Sequence, residues 1–215
     1  PAVPYAKDVI EHFSKKGYWV FFIRYRGSWE SGGVFLKKSP HEDVLDVIEG
    51  IQTGFIDYKN QKFEHVAPHE IHLLGASFGG PAVLLSSKHP LVTKVVALSP
   101  VVDWLYGDNG ASIEGIYEYA KVAFGNGYRW EPHIVQKMKK GIFYNPVANI
   151  KDIAPEKIHF FLTENDEVVP STPALLLVKK LGIRYSITKK GGHLGISALM
   201  FNKKLLARVE KYLLS

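Results

Sequence analysis

Apolar residues along this chain recur at two alternating spacings. In "PYAKDVIEHFSKKG" the apolar positions Val9, Ile10 and Phe13 fall at helical spacing and the run stops at Gly17, which predicts a helix with a glycine end. The next segment, "YWVFFIRY", is rich in aromatic and β-branched residues and predicts a strand. Ser39, Pro40 and Glu42 then form a capping-box start with proline in the first turn, ahead of "DVLDVIEGI" at helical spacing. After that come "EIHLLGAS" as a short buried strand, "GPAVLLSSKHP" as a helix and "VTKVVALSP" as a strand. The alternation resumes with "KIHFFLTEND", "TPALLLVKKLG", "RYSITKKGGH" and the closing helix "NKKLLARVEKYLL". Strands that read as continuous apolar runs, each followed by a helix, predict an α/β fold: a mostly parallel sheet with helices on both faces.

One stretch breaks the rhythm. Between Tyr106 and Pro146 the chain is helical in part and unusually aromatic, with Tyr117, Tyr119, Phe124, Tyr128 and Trp130. Two readings fit: a helical cap inserted over residues 107–145, or a plain helical connection whose aromatics pack on the core. A cap would matter, because the loops at the carboxyl ends of parallel strands are where such sheets build their sites. On the first reading Tyr119, Phe124 and Trp130 are candidates for a substrate pocket.

Composition narrows the class. At 215 residues and 46% hydrophobic, the chain is long enough for one sizeable core, so residues 1–215 are expected to form a single domain. No run approaches eighteen uninterrupted apolar residues, so no membrane span is expected. With no cysteine, disulfides, thiolate metal sites and thiol nucleophiles are excluded. That composition and the lack of a leader pattern predict a cytoplasmic protein. The net charge of +6 comes as scattered lysine pairs rather than a stripe, which argues against a nucleic-acid partner. His65, His69 and His72 lie close in sequence, but Pro68 disrupts the helical geometry that would aim the first two at one metal, and His72 belongs to the next strand. Neither metal nor cofactor is expected.

The chemistry concentrates in "IHLLGASFGGPAVLL". Gly75, Ser77 and Gly79 make G-x-S-x-G where a strand ends and a helix begins. Exposing a serine hydroxyl at that corner needs a sharp, strained turn that crowds the positions two before and two after it, so small residues are expected there. Gly80 would let the following helix approach closely, and the helix start supplies unpaired N–H groups aimed at negative charge. A serine hydroxyl becomes nucleophilic only when an imidazole takes its proton, and that imidazole needs a carboxylate partner. Both lie downstream, at carboxyl ends of predicted strands: Asp166 in "ENDEVVP" and His193 in "KKGGHLG". Serine, acid, histidine is the chain order of the α/β-hydrolase triad. Glu164 and Glu167 are the alternatives for the acid, and Ser99 and Asp103 in "ALSPVVDW" are candidates to line the pocket.

"LLGASFGGPAVLL", "LSPVVDWLY", "TENDEVVP", "GGHLG" and "GYWVFFIRYRGSWESGG" together resemble the α/β-hydrolase fold. More narrowly, they resemble the catalytic domain of the prolyl oligopeptidase and acylaminoacyl peptidase group and the small esterases related to it. The resemblance implies Ser77 as nucleophile, His193 as general base, Asp166 as orienting acid and the Phe78 backbone N–H as one oxyanion donor. Two features depart from the pattern: no propeller is visible to restrict substrates to peptides, and Thr163 stands where a glycine is common before the acid. The expected function is a metal-free serine hydrolase acting on esters of small or medium apolar acyl groups. Peptidase activity is the second reading, and an inactive binding module of the same fold the third.

The resemblance also implies a strand just before the first helix, lying in the sheet between the neighbours of "YWVFFIRY" and "IHLLGAS" and ending in a glycine-rich loop that gives the second oxyanion N–H. Neither is visible in the sequence. The expectation is therefore that N-terminal strands are missing and that the protein continues upstream of Pro1. The competing expectation is that the strands close up and an amide near Gly27 completes the hole.

Overall fold

The computed structural model describes residues 3–106 and 113–214. Four strands form one parallel sheet in the order β3 (Ile71–Ala76), β4 (Val92–Leu98), β5 (Ile158–Thr163), β6 (Arg184–Thr188). The register aligns Ala76 with Leu98, Leu98 with Phe161 and Phe161 with Ser186, so the strands run out together at one edge of the sheet.

Both faces of the sheet are covered, and the period-2 geometry of a strand decides which residue goes to which face. Leu73, Val95, Ala97, Phe160 and Leu162 pack on one side with Val44 and Ile48 of α2 (Pro40–Thr53), Leu84 of α3 (Gly80–Leu85) and Leu177 of α6 (Ser171–Leu181). Their sequence neighbours Leu74, Val96, Leu98 and Phe161 pack on the other, with Phe13 of α1 (Val3–Ser14) and Leu205, Val209 and Leu213 of α8 (Lys203–Leu213). Full burial of one such side chain contributes about 1.5–3 kcal/mol, and the two clusters clamp the sheet between them. The start of α2 is the predicted one: Ser39 is extended (φ −70°, ψ 134°), its N–H donates to Glu42 Oε1 at 3.1 Å, and Pro40 opens the first turn.

Two segments differ from the pattern reading. Tyr18–Tyr25 carries no strand ladder. It runs beside β3 in the same direction, Tyr18 near His72 (ring centroids 6.0 Å) and Tyr25 near Phe78 (6.2 Å). A strand needs hydrogen-bonded partners as well as β-prone residues, and among the described residues none pairs with this segment. Conversely, a hairpin of β1 (Phe55–Asp57) and β2 (Lys62–Glu64) forms in a stretch where the sequence pattern names no element. Three-residue strands are too short to display a period.

Of residues 107–145, positions 107–112 lie outside the described residues. The remainder supplies α4 (Ile113–Phe124) and α5 (Ile134–Lys139). It is tied to the loop after Tyr25 by Phe35 N–H to Arg129 O (2.6 Å) and Glu131 N–H to Phe35 O (2.9 Å).

Candidate active site

The three residues picked from the sequence all sit at the carboxyl edge of the sheet. Ser77 follows β3 directly and holds left-handed backbone, φ +52°. That region costs an ordinary L residue about 1–2 kcal/mol, so the fold around it must enforce it. The glycines show how. A Cβ on Gly75 would lie 2.5 Å from Gly79 O and 2.8 Å from Val83 Cγ2, and one on Gly80 would lie 2.3 Å from Pro100 Cβ. Strand, turn and helix therefore approach more closely than any side chain allows. Gly79 is a correction to the sequence reading. Its backbone is helical (φ −75°) and a Cβ there would meet only the Tyr25 hydroxyl at an ordinary 3.5 Å, so the crowding falls on Gly75 and Gly80.

Asp166 follows β5, and His193 stands at the start of α7 (Gly192–Ser197), after β6. Both are buried, and His193 Nδ1 lies 2.9 Å from Asp166 Oδ2 and 3.1 Å from Oδ1. A carboxylate only accepts, so Nδ1 carries the proton and Nε2 of the neutral ring is left as the basic nitrogen. The Val168 and Val169 amides donate to Asp166 Oδ1 at 3.1 and 2.8 Å. Burial alone would raise the Asp166 carboxyl. The bonds from His193 and Val169, with the nearby Ser99 hydroxyl, outweigh it and hold the group below the ordinary carboxylate range. Neither alternative acid has such a bond to the imidazole. Glu164 and Glu167 are exposed, and Glu167 lies instead against Gly192.

The departure at Thr163 has a local explanation. Thr163 is fully buried and its hydroxyl donates to Asn165 Oδ1 (2.9 Å), which also accepts the Gly192 N–H (3.1 Å). This bridge ties the acid loop to the histidine loop. Asn165 was not legible as a site residue, because its second partner lies 27 positions downstream. Ser99, also left-handed (φ +41°) and buried, lies beside Asp166, whereas Asp103 is occupied by the Leu105 amide (3.0 Å) and Asn145 Nδ2 (3.1 Å). The Gly27 amide donates to Gly32 O at 2.7 Å and is thus committed within its own loop.

An apolar cavity of about 30 Å³ lies between Phe78, the residue after Ser77, and α4–α5. Trp130 lines it. Tyr119 and Phe124 do not: Tyr119 is 67% exposed, and Phe124 packs on Trp29 and Tyr128 (ring centroids 6.3 and 5.7 Å). The other aromatic walls are Tyr117 and Trp104. Tyr117 shares a helical stripe with Ile113, Ile116 and Ala120, a signal present in the sequence and passed over. Among the described residues no group of three His, Asp or Glu side chains is placed to hold a metal, and no helix is long and apolar enough to cross a membrane.

A doubly covered parallel sheet, a left-handed serine at a strand-to-helix corner and a buried acid–histidine pair at the same edge define the α/β-hydrolase class. Solved structures agree on the fold. An α/β-hydrolase enzyme from a Medee basin deep-sea metagenome library superposes with a TM-score of 0.69 at 15% identity, covering 100% of this chain and 86% of that one. The Pyrococcus furiosus esterase gives 0.65 at 18% (99% and 75%), and a lipase-esterase related protein from Clostridium acetobutylicum gives 0.64 at 19% (97% and 88%). No curated protein sequence matches. The sequence profile of the prolyl oligopeptidase family matches residues 5–214, and the chain belongs to that family. It is a serine hydrolase.

Proposed function

We propose that the protein hydrolyses esters of small or medium apolar acyl groups through an acyl-enzyme, with Ser77, His193 and Asp166 as its triad. The observation that carries this reading is the buried His193 Nδ1–Asp166 pair at the same sheet edge as a serine held in left-handed backbone. In the proposed cycle His193 Nε2 takes the Ser77 hydroxyl proton as Oγ attacks the ester carbonyl, and the Phe78 N–H binds the resulting oxyanion. Collapse expels the alcohol, which receives its proton from His193. Water, deprotonated by the same nitrogen, then releases the acid and regenerates Ser77. The described part of the insertion, residues 113–145, serves as a cap, and the apolar wall of Trp130, Tyr117 and Trp104 favours an uncharged acyl chain. The family name favours a second reading, cleavage of short peptides by the same triad.

A fluorophosphonate probe separates these from an inactive hydrolase fold, because only an activated serine reacts with it. Labelling of the wild type and not of Ser77→Ala is expected, with faster turnover of p-nitrophenyl butyrate than of an aminoacyl p-nitroanilide. The opposite preference would move the assignment to peptidase. Absence of labelling would leave only the binding-module reading.

A further inference from the structure

Tyr144 is a further non-glycine residue beside Ser77 and Ser99 that holds left-handed backbone, and no step proposed so far uses it. Tyr144 has φ +53° and is almost wholly buried. A tyrosine in that conformation is unfavourable, and burying its hydroxyl adds a cost that phenylalanine would avoid. The fold sustains both. Trp104 Nε1 donates to Tyr144 O at 2.7 Å, Asn145 Nδ2 donates to Asp103 Oδ1 at 3.1 Å and Gly141 O at 2.9 Å, and the Val147 amide donates to Val102 O at 3.0 Å. These bonds strap 141–147 to the segment leaving β4. What the strap delivers is the Tyr144 hydroxyl, which donates to Phe78 O at 2.6 Å, in the elbow itself.

Resting on the triad reading above, we propose that Tyr144 is a positioning residue of the oxyanion site: its hydroxyl fixes the Phe78 carbonyl and thereby the direction of the Phe78 N–H. The carbonyl and the N–H belong to one residue, so pinning one limits the rotations that would swing the other away. The Phe78 ring is held as well, with centroids 5.2 Å from Tyr144, 5.8 Å from Trp104, 5.8 Å from Phe35 and 6.2 Å from Tyr25. The Tyr25 phenol interacts with that of Tyr144 and lies against Gly79, so a second hydroxyl backs the first. Burial raises both phenols, Tyr144 well above its ordinary value, so the donor keeps its proton across the working pH range. A donor aimed before the reaction stabilises developing charge without reorganisation, which is where an oxyanion site gains its effect.

The test is Tyr144→Phe in the full chain, which removes one oxygen and keeps the ring. For p-nitrophenyl acetate, kcat is expected to fall about 10- to 100-fold, less than the 10²–10³ for loss of a donor outright, with KM within about twofold. Fluorophosphonate labelling should slow by a similar factor, because its phosphoryl oxygen occupies the same position. The pH midpoint of kcat/KM should stay in place, since the His193–Asp166 pair is untouched. A merely structural Tyr144 would instead lower Tm and leave the rate per folded molecule at the wild-type value, and that result overturns the inference. Should Tyr144→Phe not fold, Tyr25→Phe should show the same kcat-selective signature with a smaller fall, and wild-type kinetics there would overturn it equally. A wild type that fails to label removes the triad reading, and this inference with it. A labelled wild type with unaltered variants removes the inference alone.

Discussion

Two loops at the carboxyl edge of the sheet are rich in glycine for opposite reasons. At the elbow, Gly75 and Gly80 avoid left-handed backbone, yet a Cβ on either would lie 2.5 Å or less from its nearest neighbour, so glycine is needed for room. In the histidine loop there is room: the nearest atoms to a Cβ on Gly191 or Gly192 are 3.8 and 3.5 Å away. There the backbone is the constraint, with φ +146° and +59°. The elbow is held by steric crowding and the acid–histidine half by hydrogen bonds: Asp166 to His193 and to two amides, Asn165 to Thr163 and Gly192. One residue type thus answers two physical problems at the same edge of the sheet, and substitutions should tell them apart.

The largest effect asks whether the two halves form one device. Ser77→Ala and His193→Ala should each lower ester turnover about 10⁶-fold while the protein still unfolds cooperatively, and Asp166→Asn about 10⁴-fold. If either alanine variant kept a tenth of the wild-type rate, the halves would not act together. Next comes the steric half. Gly75→Ala and Gly80→Ala should each destabilise by about 1–3 kcal/mol in urea unfolding. Gly79→Ala should be neutral or stabilising by about 0.4–1 kcal/mol, since its helical φ suits alanine. Equal losses at all three would show that crowding is not what sets the elbow. In the histidine loop the order of tolerance should reverse with side-chain chemistry. Gly192→Asn should cost less than Gly192→Ala, because asparagine tolerates left-handed backbone, whereas at Gly75 the larger asparagine should be the worse of the two. Melting of the four variants decides it.

The smallest effect lies away from the site and sharpens the contrast by its pH sense. His159 on β5 is pushed down to about 4, by burial first and then by Arg208 and Arg184. Its Nε2 meets Ser186 Oγ at 2.9 Å, and its ring stacks on Phe161 at 4.4 Å. Between about pH 4 and the ordinary histidine value near 6.5, the unfolded chain binds a proton there that the folded chain does not. His159 therefore favours the folded state fully above about pH 6.5 and loses that contribution as pH falls toward 4. Asp166 loses its contribution lower still, as pH drops through a carboxylate value that is itself depressed. Urea unfolding of His159→Gln should show a shallower loss of stability between pH 6.5 and 4, with the wild-type loss below that. Identical slopes would reject the assignment.

The sheet was legible because β4 and β5 are largely buried on both faces and, with the half-buried β3, read as apolar runs, with helices between them carrying their own period. The meeting of Asp166 and His193 was legible because parallel strands end at one edge, so residues that follow separate strands converge there. Tyr18–Tyr25 misled because propensity describes residues, while a ladder is a property of pairs. The pocket misled because the aromatics of α4 point in different directions: Tyr117 inward and Tyr119, two positions on, outward.

What the sequence determined by itself was the order of strands β3 to β6 and the helices between them, the strand-to-helix corner at Ser77, and the placing of Asp166 and His193 after separate strands. Tertiary structure alone decided which glycines are crowded, which aromatics line the cavity, how Thr163 and Asn165 brace the histidine loop, and that Tyr144 reaches the elbow. Those outcomes depend on contacts between residues far apart in sequence, 66 positions for Tyr144 and Phe78, whose distances exist only once helices have packed on the sheet. Local patterning carries the period of an element and its ends. It carries no information about which atom of another element will lie 2.6 Å away.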